Sequence, residues 1–218
     1  MSSISQNLKE INHNIAKFKN TKLIAISKNF SSSFIEEAIN NGCNIFGENR
    51  VEEAKSKFLD LKNKYPNLKL HLVGHLQSKK AKDAVAIFDV IQSLDSNKLA
   101  EILQKEMIKQ NKFPEIFIQI NIGQESQKSG INPKNAKQFI ENIKNNYPQI
   151  NLTGLMAIAP INEDASAYFA LLRKISEENN LKKISMGMSS DYEIAAKICE
   201  NFQGEHFVRI GSAIFGSR

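Results

Sequence analysis

Short apolar runs and stretches of helical periodicity alternate eight times along this chain, from about residue 22 to its C-terminal end. The runs are 22–28, 44–47, 71–74, 90–93, 115–121, 152–158, 183–187 and 207–211. Several are apolar almost throughout, as strands are when a parallel sheet buries both of their faces. Between them, helical spacing predicts helices over about 51–64, 81–87, 97–111, 133–145, 164–178 and 192–200, the fourth opening on Pro133. After the first run, Ser31-Ser-Ser-Phe-Ile-Glu-Glu-Ala reads as a serine cap ahead of Glu36 or Glu37, in the manner of a capping box. A further helix, about Ser5 to Lys19, precedes the first strand, with Leu8, Ile11, Ile15 and Phe18 on one face. Eight βα units in roughly 200 residues are the count of a compact TIM barrel. An open doubly wound sheet is the alternative, and its first turn would carry a glycine-rich fingerprint. Here that turn is Ser27-Lys-Asn-Phe-Ser-Ser-Ser, without glycine. We therefore expect an α/β fold, a single (β/α)8 barrel domain over residues 1–218 with an extra N-terminal helix.

Composition narrows the partners. Hydrophobic residues make up 41% and charged residues 24%, which excludes fibrous and disordered classes. No apolar run approaches the roughly 18 residues of a membrane span, and the polar start shows no signal peptide. Cys43 and Cys199 stand apart and form no CxxC or Cys/His cluster. A reducing cytoplasm is the expected location, without membrane contact. The net charge of +6 raises the question of nucleic acid. The charge is nearly all dispersed lysine, however. Arginine appears only as Arg50, Arg173, Arg209 and Arg218, and clusters such as Lys79-Lys80-Ala-Lys82 lack interleaved aromatics. No nucleic-acid partner is expected; small anions are.

In such barrels the chemistry sits where strands end at their C-terminal side. That rule selects Lys28, Gly47–Asn49, Gly74–Gln77, Asn121, Met186–Ser189 and Arg209–Ser212. Period-2 alternation puts Lys28 on the face of Ile24 and Ile26. A lysine there is either a partly desolvated, nucleophilic amine suited to aldehydes or a side chain snorkelling out of the barrel. Arg209 lies between Val208 and Ile210, where a charge needs a partner. It reads as half of an ion pair with a barrel glutamate, or as a fixed cation for an anion or a ring nitrogen. Gly187-Met-Ser189-Ser190 and Gly211-Ser212, after the seventh and eighth strands, resemble a phosphate cup of backbone N–H groups and hydroxyls. His13, His71, His75 and His206 show no metal-ligand spacing, so no metal is expected, and His75 reads either as a residue lining the mouth or, preferred, as a satisfied structural histidine. No GxSxG, HExxH or Walker-type loop is present.

Together, Ala25-Ile-Ser-Lys28, Phe46-Gly-Glu-Asn49, His71-Leu-Val-Gly-His-Leu-Gln77, Ser185-Met-Gly-Met-Ser189 and Arg209-Ile-Gly-Ser-Ala-Ile-Phe-Gly216 resemble the YggS/PROSC family of pyridoxal phosphate (PLP) homeostasis proteins. The resemblance covers essentially the whole chain. It implies a fold-type III PLP barrel like the N-terminal domain of alanine racemase. It also implies PLP held at Lys28 as an aldimine, with Asn49 beside the ring and Ser189 on the phosphate. Arg209 would lie near the pyridine nitrogen and the phosphate, and Gly211 and Ser212 at the phosphate. Serine at 212 stands where relatives carry threonine and keeps the hydroxyl. An arginine cannot accept the pyridine proton, and an unprotonated ring is a weaker electron sink, which disfavours carbanion chemistry. The chain ends at Arg218, soon after the cofactor motif, so no second domain is expected, and a monomer is. The expected function is PLP binding for homeostasis, buffering the cofactor or delivering it to PLP-dependent apoenzymes, without catalytic turnover. The rivals are a PLP-dependent amino-acid racemase and a cofactor-free barrel that uses Lys28 as a class I aldolase does.

Overall fold

In the computed structural model, which describes residues 3–161 and 163–216, eight parallel strands pair strictly in chain order. They are β1 (Thr21–Ile26), β2 (Ile45–Glu48), β3 (Lys69–Leu72), β4 (Val90–Leu94), β5 (Glu115–Ile120), β6 (Asn151–Ala157), β7 (Lys183–Ser185) and β8 (Glu205–Ile210). The barrel closes where β8 returns to β1, in register from Thr21 opposite His206 to Ala25 opposite Ile210. Alternation along each strand sorts its side chains into two cores. Ile24, Ile26, Val90, Phe117, Met156 and Phe207 fill the interior. Ala25, Phe46, Leu70, Ile116, Leu155, Val208 and Ile210 face outward beneath the helices. Burying a Phe117 or an Ile24 completely is worth roughly 1.5–3 kcal/mol each, so the alternation, once set, strongly specifies which face is in.

The helices are α1 (Ile4–Ile15), α2 (Ser32–Asn40), α3 (Val51–Lys64), α4 (Ala81–Ile87), α5 (Asn97–Gln110), α6 (Ala136–Asn146), α7 (Ala165–Glu178), α8 (Tyr192–Ile198) and α9 (Ser212–Phe215). Helix α1 is the expected extra element and carries a complete capping box. Ser3 Oγ accepts from Gln6 N, and Gln6 Oε1 accepts from Ser3 N, each at 3.2 Å. It ends at Ile15 rather than Lys19, because the chain must turn there to enter β1. Asn20 anchors that turn, its Nδ2 donating to Phe202 O and its own carbonyl accepting from His206 N, both at 2.8 Å. The capping box expected at α2 does not form. Ser31 is the cap residue, but its Oγ meets Ser33 Oγ at 2.8 Å, and Phe34 occupies the third helical position where a glutamate would be needed. Glu36 instead pairs with Lys64 at 2.6 Å. No helix among the described residues is long and apolar enough to cross a membrane.

Candidate functional site

At the C-terminal end of the barrel lies a cavity of about 620 Å³. Lys28, Asn49, Ser189, Arg209, Gly211 and Ser212, the six residues singled out from the sequence, all line it. Ile26, Val73 and Ile158 supply its apolar wall and had not been singled out. The signal was available: Val73 and Ile158 lie two residues beyond the inward-facing His71 and Met156, so they share the barrel face.

Lys28 follows the end of β1 by two residues and is half-buried in the turn that leads to α2. On β2, Gly47 points inward beside Ile24 and Ile26, Glu48 points outward, and Asn49 returns to the cavity. The same rule that exposes Lys28 to the cavity therefore brings Asn49 to it from the next strand.

Arg209 is 5% exposed and points inward from β8. Its Nη1 donates to Ser185 Oγ and its Nη2 to Ala157 O, both at 2.8 Å. Burial pulls its pKa down to about 10 against the opposing pull of Asp191, so the group remains a cation at neutral pH. The ion pair with a barrel glutamate considered from the sequence is not formed. Arg209 reaches the inward face of β6 and β7, which offer a carbonyl and a hydroxyl, whereas the buried Glu48 lies on the outer side of β2 facing α3. A desolvated cation whose hydrogen bonds go to neutral oxygens gains most from an anion brought close.

Two turns bring backbone N–H groups and hydroxyls to the cavity. Gly187 takes φ +88, and a Cβ there would lie 2.7 Å from Ala195 Cβ, so the turn after β7 can press onto α8 only with glycine. Asp191 Oδ1 accepts from Met188 N at 2.5 Å and closes that turn. Ser212 Oγ, after β8, donates to Ser189 Oγ at 3.3 Å and joins the two turns. Among the described residues, the backbone N–H groups of Ser189, Ser190, Ser212 and Ala213 meet no acceptor. N–H donors, three serine hydroxyls and a nearby guanidinium are the donor set of a phosphate dianion. The amine of Lys28 in the same cavity suits an aldehyde. The residues present thus fit PLP.

Other expected mouth residues do different work. Asn121 closes its own loop, donating to Glu125 O at 2.8 Å and Lys128 O at 3.1 Å, and does not line the cavity. His75 is exposed, with Nδ1 3.5 Å from both Asp95 Oδ2 and Ser129 Oγ, and does not line the cavity. The loop after β3 carries it outward, past the last inward position at Val73. The buried histidines are His71, against Gln92 Nε2 at 2.8 Å, and His206, between Thr21 Oγ1 and Met186 O. Burial lowers their pKa values to about 3 and about 4. Among the described residues no group of three or more His, Cys, Asp or Glu could hold a metal ion.

Over residues 1–218 the chain matches the family described as alanine racemase, N-terminal domain. It is 38% identical over 208 residues to the pyridoxal phosphate homeostasis protein of Haemophilus influenzae, covering 90% of this chain and 85% of that protein. With the protein of the same name from Aquifex aeolicus it shares 36% identity over 206 residues, 90% of this chain and 87% of the relative. Among solved structures, PipY of Synechococcus elongatus with PLP bound superposes with a TM-score of 0.85 at 33% identity, covering 98% of this chain and all of PipY, 100%. An alanine racemase of Clostridium difficile shares the fold, with a TM-score of 0.71 at 14% identity over 99% of this chain and 57% of that one.

Proposed function

Since the chain belongs to the alanine racemase N-terminal-domain family, and within it to the pyridoxal phosphate homeostasis proteins, we propose that it binds PLP at Lys28 and buffers the cofactor or hands it to PLP-dependent apoenzymes without turning over a substrate of its own. One observation carries this reading: a lysine amine, a buried arginine with neutral partners and two serine-bearing glycine turns converge on one cavity. Bound PLP supplies an aldehyde that condenses with a primary amine, together with an aromatic ring and a phosphate dianion. Lys28 is the amine within the cavity. Ser189, Ser190 and Ser212, with the N–H groups of their turns, hold the phosphate. Asn49 lies beside the ring, and Arg209 donates toward the ring nitrogen or the phosphate and keeps its own proton. Ile26, Val73 and Ile158 form the apolar wall of the cavity and would meet the ring.

The absence of turnover has physical support. Among the described residues, the cavity lining contains no carboxylate, imidazole, thiol or phenol. A racemase needs proton-transfer groups on both faces of the reacting carbon, and none stands opposite Lys28. With Arg209 as its neighbour, the ring nitrogen also lacks the acidic partner that strengthens PLP as an electron sink. The test is borohydride reduction of the PLP-loaded chain followed by peptide mass spectrometry. One PLP on Lys28 is expected; an adduct elsewhere, or none, overturns the proposal. Sustained conversion of L-alanine to D-alanine, lost on Lys28→Ala, would establish the racemase instead.

A further inference from the structure

The turn that carries Lys28 is fastened from behind by charges that do not touch the cavity. Lys57, on α3, has a side chain only 10% exposed. Its ammonium lies among four oxygens: Ser27 O at 2.8 Å, Phe30 O at 3.2 Å, Glu48 Oε1 at 2.7 Å and Glu53 Oε1 at 2.8 Å. Glu48 Oε1 also accepts from Ser27 Oγ at 2.7 Å, and Glu53 Oε1 accepts from Asn29 N. Residues 27, 29 and 30 are thus each tied to one cluster, while the Lys28 side chain between them reaches the cavity. Asn29 takes φ +65, in the left-handed region, a conformation that a non-glycine residue keeps when its surroundings over-determine it.

The cluster is an expensive way to hold a turn. Glu48 is fully buried, and its Oε2 has no hydrogen-bond partner among the described residues. Burial pushes its carboxyl above the usual range, against the pull of Lys57 and Ser27. Buried ion pairs of this kind add little net stability over apolar residues of equal volume. What they add is direction, since four oxygens of the turn and its neighbours must meet one ammonium. We infer that Lys57, acting through Glu48 and Glu53, is a positioning residue that holds Lys28 where it can capture PLP.

This rests on the attachment of PLP at Lys28. In that capture the amine nitrogen bonds to the aldehyde carbon, a carbon–nitrogen double bond forms, and the aldehyde oxygen leaves as water with the two amine protons. The phosphate is held by the turns after β7 and β8, so the placement of the β1 turn relative to them sets how favourable the capture is.

The experiment compares two probes on the full chain without cofactor: PLP, and 4-deoxypyridoxine 5′-phosphate, which carries a methyl group in place of the aldehyde and cannot be captured. The second probe reads the phosphate and ring contacts; the ratio of the two affinities reads Lys28. Glu48→Gln combined with Lys57→Met removes both members of the buried pair, so that neither is stranded. We expect PLP affinity to fall about 10- to 100-fold, the analogue to change less than about threefold, and Lys57→Arg alone to keep part of the ratio. A parallel fall for both probes, or no fall for PLP, overturns the inference. Should the double variant fail to fold, Lys57→Arg alone is read by the same ratio, and a loss that is absent or equal for both probes overturns it. If the unsubstituted chain binds both probes equally, the covalent reading of Lys28 fails, and the inference falls with it.

Discussion

At the N-terminal end of the barrel, a cavity of about 680 Å³ is ringed by lysines that face carboxylates. Lys62 meets Asp89 at 2.7 Å, Lys69 meets the same residue at 3.8 Å, and Lys22 pairs with Glu205. Lys183 bridges Glu115 at 2.7 Å and Glu205 at 3.2 Å. At the C-terminal mouth, the cavity is similar in size, but the buried Arg209 bonds to neutral oxygens and no carboxylate lines the wall among the described residues. Lysine is more abundant at the lower end, yet four of its five lysines, all but Lys112, already meet a carboxylate within 4 Å, and a paired charge gains little from a ligand. The upper cation has been desolvated with neutral oxygens as its hydrogen-bond partners and Asp191 acting on it only through space. Pairing, rather than the density of positive charge, distinguishes the end whose ion pairs link neighbouring strands from the end proposed to hold a phosphate.

The largest effect should come from the mouth. Lys28→Ala is expected to abolish covalent PLP completely, as read by mass spectrometry after borohydride, while the phosphate cup still binds PLP reversibly. Retained adduct would mean that another amine serves. Next, Arg209→Ala removes a charge-assisted contact worth roughly 1.5–3 kcal/mol, or about a 10- to 150-fold loss of PLP affinity. Ser212→Ala removes one neutral hydroxyl and should cost only roughly 0.5–1.5 kcal/mol, about 2- to 12-fold. Equilibrium titrations at one pH decide the order. If the serine change is the more damaging, Arg209 serves the barrel rather than the ligand.

The lower half should dominate acid sensitivity. His71, which lines the lower cavity, and His206, near the start of β8, are buried and neutral, with pKa values pulled from 6.5 down to about 3 and about 4. Unfolded, each takes up a proton near pH 6.5; folded, each stays neutral until far lower pH. Their contribution is therefore full above that value and is lost as pH falls toward 4, by up to about 1.4 kcal/mol per pH unit for each histidine. Urea midpoints at pH 7.5, 6 and 5 should decline accordingly, and a flat profile would refute the assignment of both as buried and neutral. The smallest effect belongs to Lys183→Met. Its partly exposed bridge to Glu115 and Glu205 is worth about 0.2–1 kcal/mol of stability, and PLP affinity should not change. A loss of affinity there would erase the contrast between the two ends.

Much of this was legible in the chain itself. The eight strands, the shared face of Lys28 with Ile24 and Ile26, and the glycine turns at Gly187 and Gly211 can be read within single segments, and Lys28 and Gly211 line the mouth of the barrel. Strand limits slipped by one or two residues, as at β1, which stops at Ile26 and leaves Lys28 to a turn. The box expected from Ser31-Ser-Ser failed because the helix is capped at Ser31, two residues too early for Glu36 to fall at its third position and reach back. What the chain did not disclose were partners. Arg209 was as compatible with a glutamate as with a serine and a carbonyl, and nothing near Lys57 in the sequence connects it with Ser27, 30 positions away. Alternation is a property of one strand and its backbone, so it can be read residue by residue. The choice of partner depends on barrel register and on where α3 docks against β2, and those are decided only when the whole sheet closes.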